Sequence, residues 1–248
     1  MLKKELYGLK QAPRAWYTRI DEYLHKLGFV KSLSKATLYV KRNDANLIII
    51  SVYIDDLLVT GSDKLLIEEF KAKMLNAFEM IDLGLMSYFL GMKVKQSNDG
   101  IFICQKKYAK EILKKFHMNN CKSTSTPMNL KEKFSKNDGI NKVDEGQYRS
   151  LIRCLMYLTI TRSDIAFVVS LHSRFMHCAS ELHLQGAKRI VRYIKGIINY
   201  GIKFSHLQNF KLHGYSNSDW VRIADDMKST SGYCFRFGSG MFSWCSRK

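Results

Sequence analysis

Asp55 and Asp56 stand side by side after the apolar run Leu47-Ile-Ile-Ile-Ser-Val-Tyr-Ile54 and before a second short one, Leu57-Leu-Val59. A buried strand that ends in two acids needs something to offset their desolvation, and divalent ions or cationic partners are the usual answers. The pattern reads as a divalent-metal centre at the tip of a β-hairpin. Aspartate is also a common turn residue whose side chain bonds nearby amides, so two solvated turn acids are the competing reading of this stretch.

The elements that must carry such a site follow from periodicity. The apolar run is too short for a membrane, which takes about 20 apolar residues, and its Ile and Val content predicts a buried central strand. Before it come a helix from about Pro13 to Leu27, with Trp16, Ile20, Tyr23, Leu24 and Leu27 inward, and a strand around Thr37 to Lys41. After it come a strand to Thr60, a helix from Asp63 to Phe78, and a hairpin of Ser87 to Gln96 with Ile101 to Cys104, turned by Ser97-Asn-Asp-Gly100. Residues 119–144 are polar, contain Pro127 and read as a linker. Helices follow over Tyr148 to Leu158, Ser163 to Met176 and His183 to Ile198, then strands over Gly201 to Phe204, Lys211 to Ser216, Ser231 to Phe237 and Met241 to Trp244. The fold class is α+β.

Charge points to the partner. The chain has 40 Lys and Arg against 22 Asp and Glu, a net charge of +18, and such a surplus favours polyanions because each cation laid on a phosphate releases counterions. Two helices repeat one arrangement. Tyr108, Ile112, Leu113 and Phe116 face inward while Lys106, Lys107, Lys110, Lys114 and Lys115 crowd the rest; then Ala187, Ile190, Val191 and Ile194 face inward while Lys188, Arg189, Arg192 and Lys195 form an outward basic stripe. A merely solvated helix face is the alternative for either helix alone. The six cysteines include no C-x-x-C pair, which reads as buried free thiols in a reducing intracellular compartment. No signal peptide, membrane span or internal repeat is evident.

In order along the whole chain, Leu6-Tyr-Gly-Leu-Lys-Gln-Ala-Pro-Arg-Ala-Trp-Tyr17, Val52-Tyr-Ile-Asp-Asp-Leu-Leu-Val-Thr-Gly61, Tyr88-Phe-Leu-Gly91, Gln105-Lys-Lys-Tyr108, Tyr148-Arg-Ser-Leu151, Thr161-Arg-Ser-Asp-Ile165, Ala187-Lys-Arg-Ile190 and Lys228-Ser-Thr-Ser-Gly-Tyr233 resemble the reverse transcriptase and ribonuclease H region of Copia-type retrotransposon Pol polyproteins. The resemblance implies a partial polymerase palm over 1–118, an antiparallel sheet plus helices, then the 119–144 linker, a helical thumb over 145–200 and an N-terminal fragment of a ribonuclease H-like α/β fold over 201–248. It implies that Asp55 and Asp56 hold two Mg²⁺ ions for nucleotidyl transfer and that Gln11 contacts the incoming deoxynucleotide. Tyr88, Phe89, Leu90 and Gly91 would grip the primer, and Lys188, Arg189, Arg192 and Lys195 would lie along an RNA or DNA template-primer duplex.

Three departures shape the functional expectation. The family places a third metal carboxylate on a strand upstream of the Gln11 segment, and its lack would leave Leu47 to Ile54 without a partner strand, as an exposed apolar edge. Arg153 replaces a small residue of the thumb helix, and an arginine there can swing onto a phosphate. Asn217 occupies the position of the first ribonuclease H carboxylate, and an amide brings no charge to Mg²⁺; Asp219 and the Asp225-Asp226 pair read as solvated loop acids. The expectation is an RNA-directed DNA polymerase fragment with little or no synthesis and no RNA cleavage as an isolated chain. The alternatives are a non-catalytic nucleic-acid-binding module on the basic helix faces, and one exon of a longer product whose other portions complete the site.

Overall fold

Ile48, Ile50 and Val52 are buried while Leu47, Ile49, Ser51 and Tyr53 are more exposed, so strand β3 (Leu47–Tyr53) packs mainly one face. The computed structural model in which this is seen describes residues 12–43, 45–129, 134–206, 211–218 and 229–247. The chain divides into two units, 1–84 and 85–248.

In the first unit, α1 (Ala12–Lys26) is followed by β1 (Val30–Lys31), β2 (Leu38–Arg42), β3, β4 (Asp56–Gly61) and α2 (Lys64–Ala77). The sheet order is β1-β2-β3-β4, all antiparallel. Strand β3 is therefore flanked on both sides, by β2 with Val40 opposite Ile49 and by β4 with Val59 opposite Ile50. This corrects the expected bare edge: the Asn43 to Asn46 turn, closed by reciprocal backbone hydrogen bonds of 2.9 and 3.1 Å, folds β2 back onto β3. The expected buried central strand alternates along its length, because the buried side chains of β3 meet Ile20 and Leu24 of α1 and Phe70 and Met74 of α2 in one core. Asp63 caps α2 by accepting the Leu65 amide at 2.8 Å.

The second unit opens with β5 (Tyr88–Phe89), β6 (Met92–Ser97) and β7 (Gly100–Cys104). The single strand expected over Ser87 to Gln96 is broken in two at Leu90 and Gly91, whose φ angles of 47° and 73° make a two-residue turn that reverses the chain. Helix α3 (Lys106–Lys115) leads to the strap 119–144, then α4 (Glu145–Leu158), a single 3-10 turn (Ser163–Ile165), α5 (Ala166–Ser173) and α6 (Glu181–Gly196). Leu151, Leu155, Val168, Ile190 and Ile194 belong to the core these helices enclose. Strand β8 (Ile202–Ser205) pairs with β7, Ile202 opposite Ile103, and so joins the β5-β6-β7 sheet instead of the later strands with which its position grouped it. Strands β9 (Leu212–Ser218), β10 (Ser231–Phe237) and β11 (Gly240–Arg247) form a separate antiparallel meander in the order β11-β10-β9. Trp244 of β11 anchors it by donating its indole N–H to the Thr159 carbonyl at 3.0 Å.

Where composition reads as a free linker, the described part of 119–144 is laced to the helices. Phe134 is buried in the core, Val143 N–H bonds the Ala179 carbonyl at 3.0 Å, and the Ser180 hydroxyl at the head of α6 donates to Asp138. Polarity in this segment marks side chains that satisfy the helix surface, which hydropathy alone does not distinguish from solvated ones.

Buried polar groups fix the helical core. Arg162, only 3% exposed, holds Asp164 through two hydrogen bonds of 2.8 and 2.7 Å, and Tyr193 donates to the same carboxylate at 2.9 Å. Burial pushes the Asp164 carboxyl up, and the Arg162 hydrogen bonds and charge, with the Tyr193 hydroxyl, outweigh that and hold it below the usual carboxylate range. His172 is fully buried against Tyr148, whose hydroxyl meets Nδ1 at 3.1 Å, and Gly186 lets it sit there: a Cβ at 186 would come within 2.6 Å of the imidazole. Burial, with His183 nearby, pushes the His172 imidazole down to about 3.

Two outcomes follow for stability. Arg162→Ala removes both hydrogen bonds to the solvent-reaching Asp164 carboxylate and costs about 1–3 kcal/mol in urea denaturation. The Asp164 contribution is present above the ordinary carboxylate pKa and is lost as pH falls through the lowered folded value. His172 acts in a higher window: the unfolded chain takes up a proton near about 6.5 that the folded chain refuses until far lower pH, so stability falls as pH drops below about 6.5, by up to about 1.4 kcal/mol per pH unit. His172→Gln removes that part of the slope, as read from urea midpoints between mildly acidic and neutral pH.

Candidate functional site

Asp55 and Asp56 are positioned by the β3–β4 hairpin, in which Tyr53 pairs with Asp56 across a loop of Ile54 and Asp55. Ile54 has φ of 52°, whereas Asp55 is not in the left-handed region, the pattern of a II′ turn. Glycine ordinarily fills that first loop position, and a β-branched residue held there costs on the order of 1–3 kcal/mol. Both carboxylates are exposed. Among the described residues neither accepts a hydrogen bond nor meets a cation.

The turn is gripped from α1. The Trp16 indole N–H donates to the Ile54 carbonyl at 3.0 Å, and its ring stands edge-on to Phe78 at 5.5 Å. Sequence reasoning places Trp16 on the inward face of α1 and misses this bond. The available signal is chemical: a half-buried indole N–H needs an acceptor.

The donor chemistry suits a hard divalent cation. Magnesium takes oxygen ligands, keeps several waters and is commonly held by one or two carboxylates together with substrate phosphates. Two adjacent, exposed carboxylates with no cation beside them among the described residues fit that requirement. No cluster of three or more His, Cys, Asp or Glu able to hold a metal occurs among the described residues.

In the second unit the Tyr88–Gly91 turn is gripped in a similar way. Tyr157 of α4 donates its hydroxyl to the Leu90 carbonyl at 2.7 Å, and a Cβ on Gly91 would stand 2.6 Å from the phenol oxygen. Tyr88 and Leu90 are exposed, while Phe89 and Gly91 are half-buried. No motif announces Tyr157; its part in the turn depends on a hydrogen bond spanning 67 residues. Arg153, one helical turn before Tyr157, is exposed.

The basic helices differ from each other. Lys106, Lys107, Lys110, Lys114 and Lys115 of α3 are all exposed. On α6 only Lys188 is: Arg189 donates to the Thr126 hydroxyl at 2.9 Å, Lys195 to the Cys121 carbonyl at 2.5 Å, and the Arg192 carbonyl accepts the Thr124 amide at 3.4 Å. The expected outward stripe is thus partly covered by strap residues 121–126, because a charged face read from periodicity carries no record of a distant segment laid over it. Asn217 lies on β9 opposite Gly232, beside an open depression of about 600 Å³ lined also by Ser216, Ser231, Tyr233 and Arg247. Gln11 and Asp219, with Asp225 and Asp226, lie outside the described residues.

Comparison with known proteins agrees with this colinear arrangement of blocks. The reverse transcriptase (RNA-dependent DNA polymerase) family matches residues 1–130. The chain is 39% identical to the retrovirus-related Pol polyprotein from transposon RE1 of Arabidopsis thaliana, over 100% of this chain and 17% of that protein. It is 36% identical to the Pol polyprotein from transposon TNT 1-94 of Nicotiana tabacum, over 99% of this chain and 19% of that protein. An uncharacterized mitochondrial protein of Arabidopsis thaliana is 34% identical over 79% of this chain and 82% of its own length. The chain spans less than a fifth of the two Pol polyproteins. No solved structure matches it. The acidic hairpin and the match across more than half the chain together establish that this protein belongs to the reverse transcriptase family of Copia-type retrotransposon Pol polyproteins.

Proposed function

We propose that the chain is the palm and thumb portion of an RNA-directed DNA polymerase, with Asp55 and Asp56 as its metal-binding carboxylates. The observation that carries this reading is the exposed acidic turn at the end of β3, uncompensated by any described cation and embedded in the matched family region. When bound, magnesium supplies Lewis-acid activation of a primer 3′-hydroxyl and charge stabilisation for the departing pyrophosphate. The chain's own part is to hold two oxygen ligands on a turn that cannot relax and to seat the duplex. Gln11 serves the incoming deoxynucleotide, and the Tyr88–Gly91 turn, fixed by Tyr157, presses the primer.

The duplex surface on this reading is chiefly α3. Lys107, Lys110 and Lys114 recur at the spacing of one helix face and are exposed, and Lys188 and Arg153 add to them. Arg189 and Lys195 anchor the strap through their side chains and reach phosphates less directly, and Arg192 is half-buried. The meander β9-β10-β11 corresponds to the start of a ribonuclease H-like fold in which Asn217 has replaced an acid, so this segment cleaves no RNA.

On this reading the isolated chain synthesises little and acts mainly by binding. The exposed α3 lysines also favour the second reading, a binding module without catalysis, and both readings share one experiment. Primer extension in Mg²⁺ on an RNA template is expected near background for the chain alone. In a longer Pol polypeptide, extension is expected to be lost on Asp55→Asn with Asp56→Asn. Extension there that survives both substitutions defeats the polymerase assignment of the turn. Duplex binding is expected to weaken steeply with salt and to tolerate the Asp substitutions. The triple substitution of Lys107, Lys110 and Lys114 by Ala should lower the salt slope by about 0.9 for each phosphate no longer neutralised.

A further inference from the structure

The carbonyl that Trp16 holds belongs to the peptide joining Ile54 to Asp55. Peptide planarity ties that carbonyl rigidly to the Asp55 amide, so fixing one fixes the other. Asp55 follows directly, and Asp56 begins β4 opposite Tyr53. The orientation of this one peptide therefore governs how the two carboxylates are presented.

The other end of the clamp is equally constrained. Phe78, which closes α2, receives the Trp16 ring at 85° and the Tyr23 ring at 89°, with the Arg19 guanidinium 5.2 Å from its centre. Phe78 thus braces the indole, Tyr23 and Arg19 of α1 brace Phe78, and the indole braces the turn. A tryptophan present only to fill space has no need to aim its N–H at the single left-handed residue of the hairpin.

We infer that Trp16 is a positioning residue for the Asp55–Asp56 pair: its indole N–H sets the 54–55 peptide and so presents both carboxylates to a divalent ion in one arrangement. The inference rests on the proposed reading of that pair as a metal site, and the test separates the two. Trp16→Phe keeps an aromatic ring against Phe78 and removes the N–H. Incorporating benzothienylalanine at position 16 keeps the full bicyclic shape and also removes it, which covers the case in which the phenylalanine variant folds poorly.

Three readouts are taken on the intact chain: amide exchange of Asp56, Mn²⁺ binding by water-proton relaxation, and broadening of the Trp16 indole resonance by Mn²⁺. For either variant, Asp56 is expected to exchange about tenfold faster and Mn²⁺ affinity to fall about tenfold, the scale seen when a group orienting a metal ligand is removed. The urea midpoint stays near that of the parent. In the parent chain Mn²⁺ broadens the indole resonance, and Asp55→Asn with Asp56→Asn abolishes that effect. Unchanged exchange and unchanged Mn²⁺ affinity in both variants overturn the inference. If the parent binds no Mn²⁺ through the Asp pair, the metal reading fails by itself; Asp56 exchange then decides for Trp16, faster exchange upholding its hold on the turn and equal exchange refuting it.

Discussion

The first unit depends on keeping a strained turn in place at the end of a strand. Ile54 occupies a backbone region that a β-branched residue adopts only under compulsion, and two acids beside it add like-charge repulsion. Neither is tolerable on a loose hairpin. The antiparallel neighbours of β3, the burial of Ile48, Ile50 and Val52, and the Trp16 hydrogen bond together over-determine the turn. The core beneath it is thus part of the site.

The second unit solves a related problem by the same means. Leu90 is another non-glycine residue with positive φ in a two-residue turn, and there too an aromatic side chain with a polar tip reaches from a helix to the carbonyl. Indole N–H and phenol O–H suit this task because the ring packs while the tip donates. Tyr157 is itself steadied by Tyr108 of α3, edge-on at 4.8 Å, so the turn is tied to the basic helix. The buried Gln105 binds the same region: it donates to the Tyr157 carbonyl at 3.2 Å and accepts from the Thr161 hydroxyl at 2.8 Å.

Local rules make much of this legible. Helix α1, the acidic hairpin and the Ser97-to-Gly100 turn follow from periodicity and turn chemistry, and the structure has all three. What stays hidden is non-local. The break at Leu90 is masked because Tyr88, Phe89 and Leu90 read as one apolar strand, and only Gly91 hints at a turn. The pairing of β8 with β7 joins residues about a hundred positions apart, and the covering of α6 by strap residues 121–126 joins Thr126 to Arg189 across 63. The clamps on both turns belong to the same class, since each is a single hydrogen bond between distant elements. Sequence therefore names the groups that can do chemistry more readily than the groups that hold them still.

The covered face of α6 bears on how a chain of net charge +18 meets a polyanion. Guanidinium and ammonium groups already engaged by strap hydroxyls and carbonyls gain less from a phosphate, because a protein hydrogen bond must be given up in exchange. Lys107, Lys110 and Lys114 of α3 are exposed and remain hydrated, so laying them on phosphates releases counterions without breaking internal structure. Charge count alone treats the two helices as equivalent. Their packing separates them: the basic residues of α3 stay exposed, whereas Arg189 and Lys195 of α6 are spent on holding residues 121–126 against the bundle.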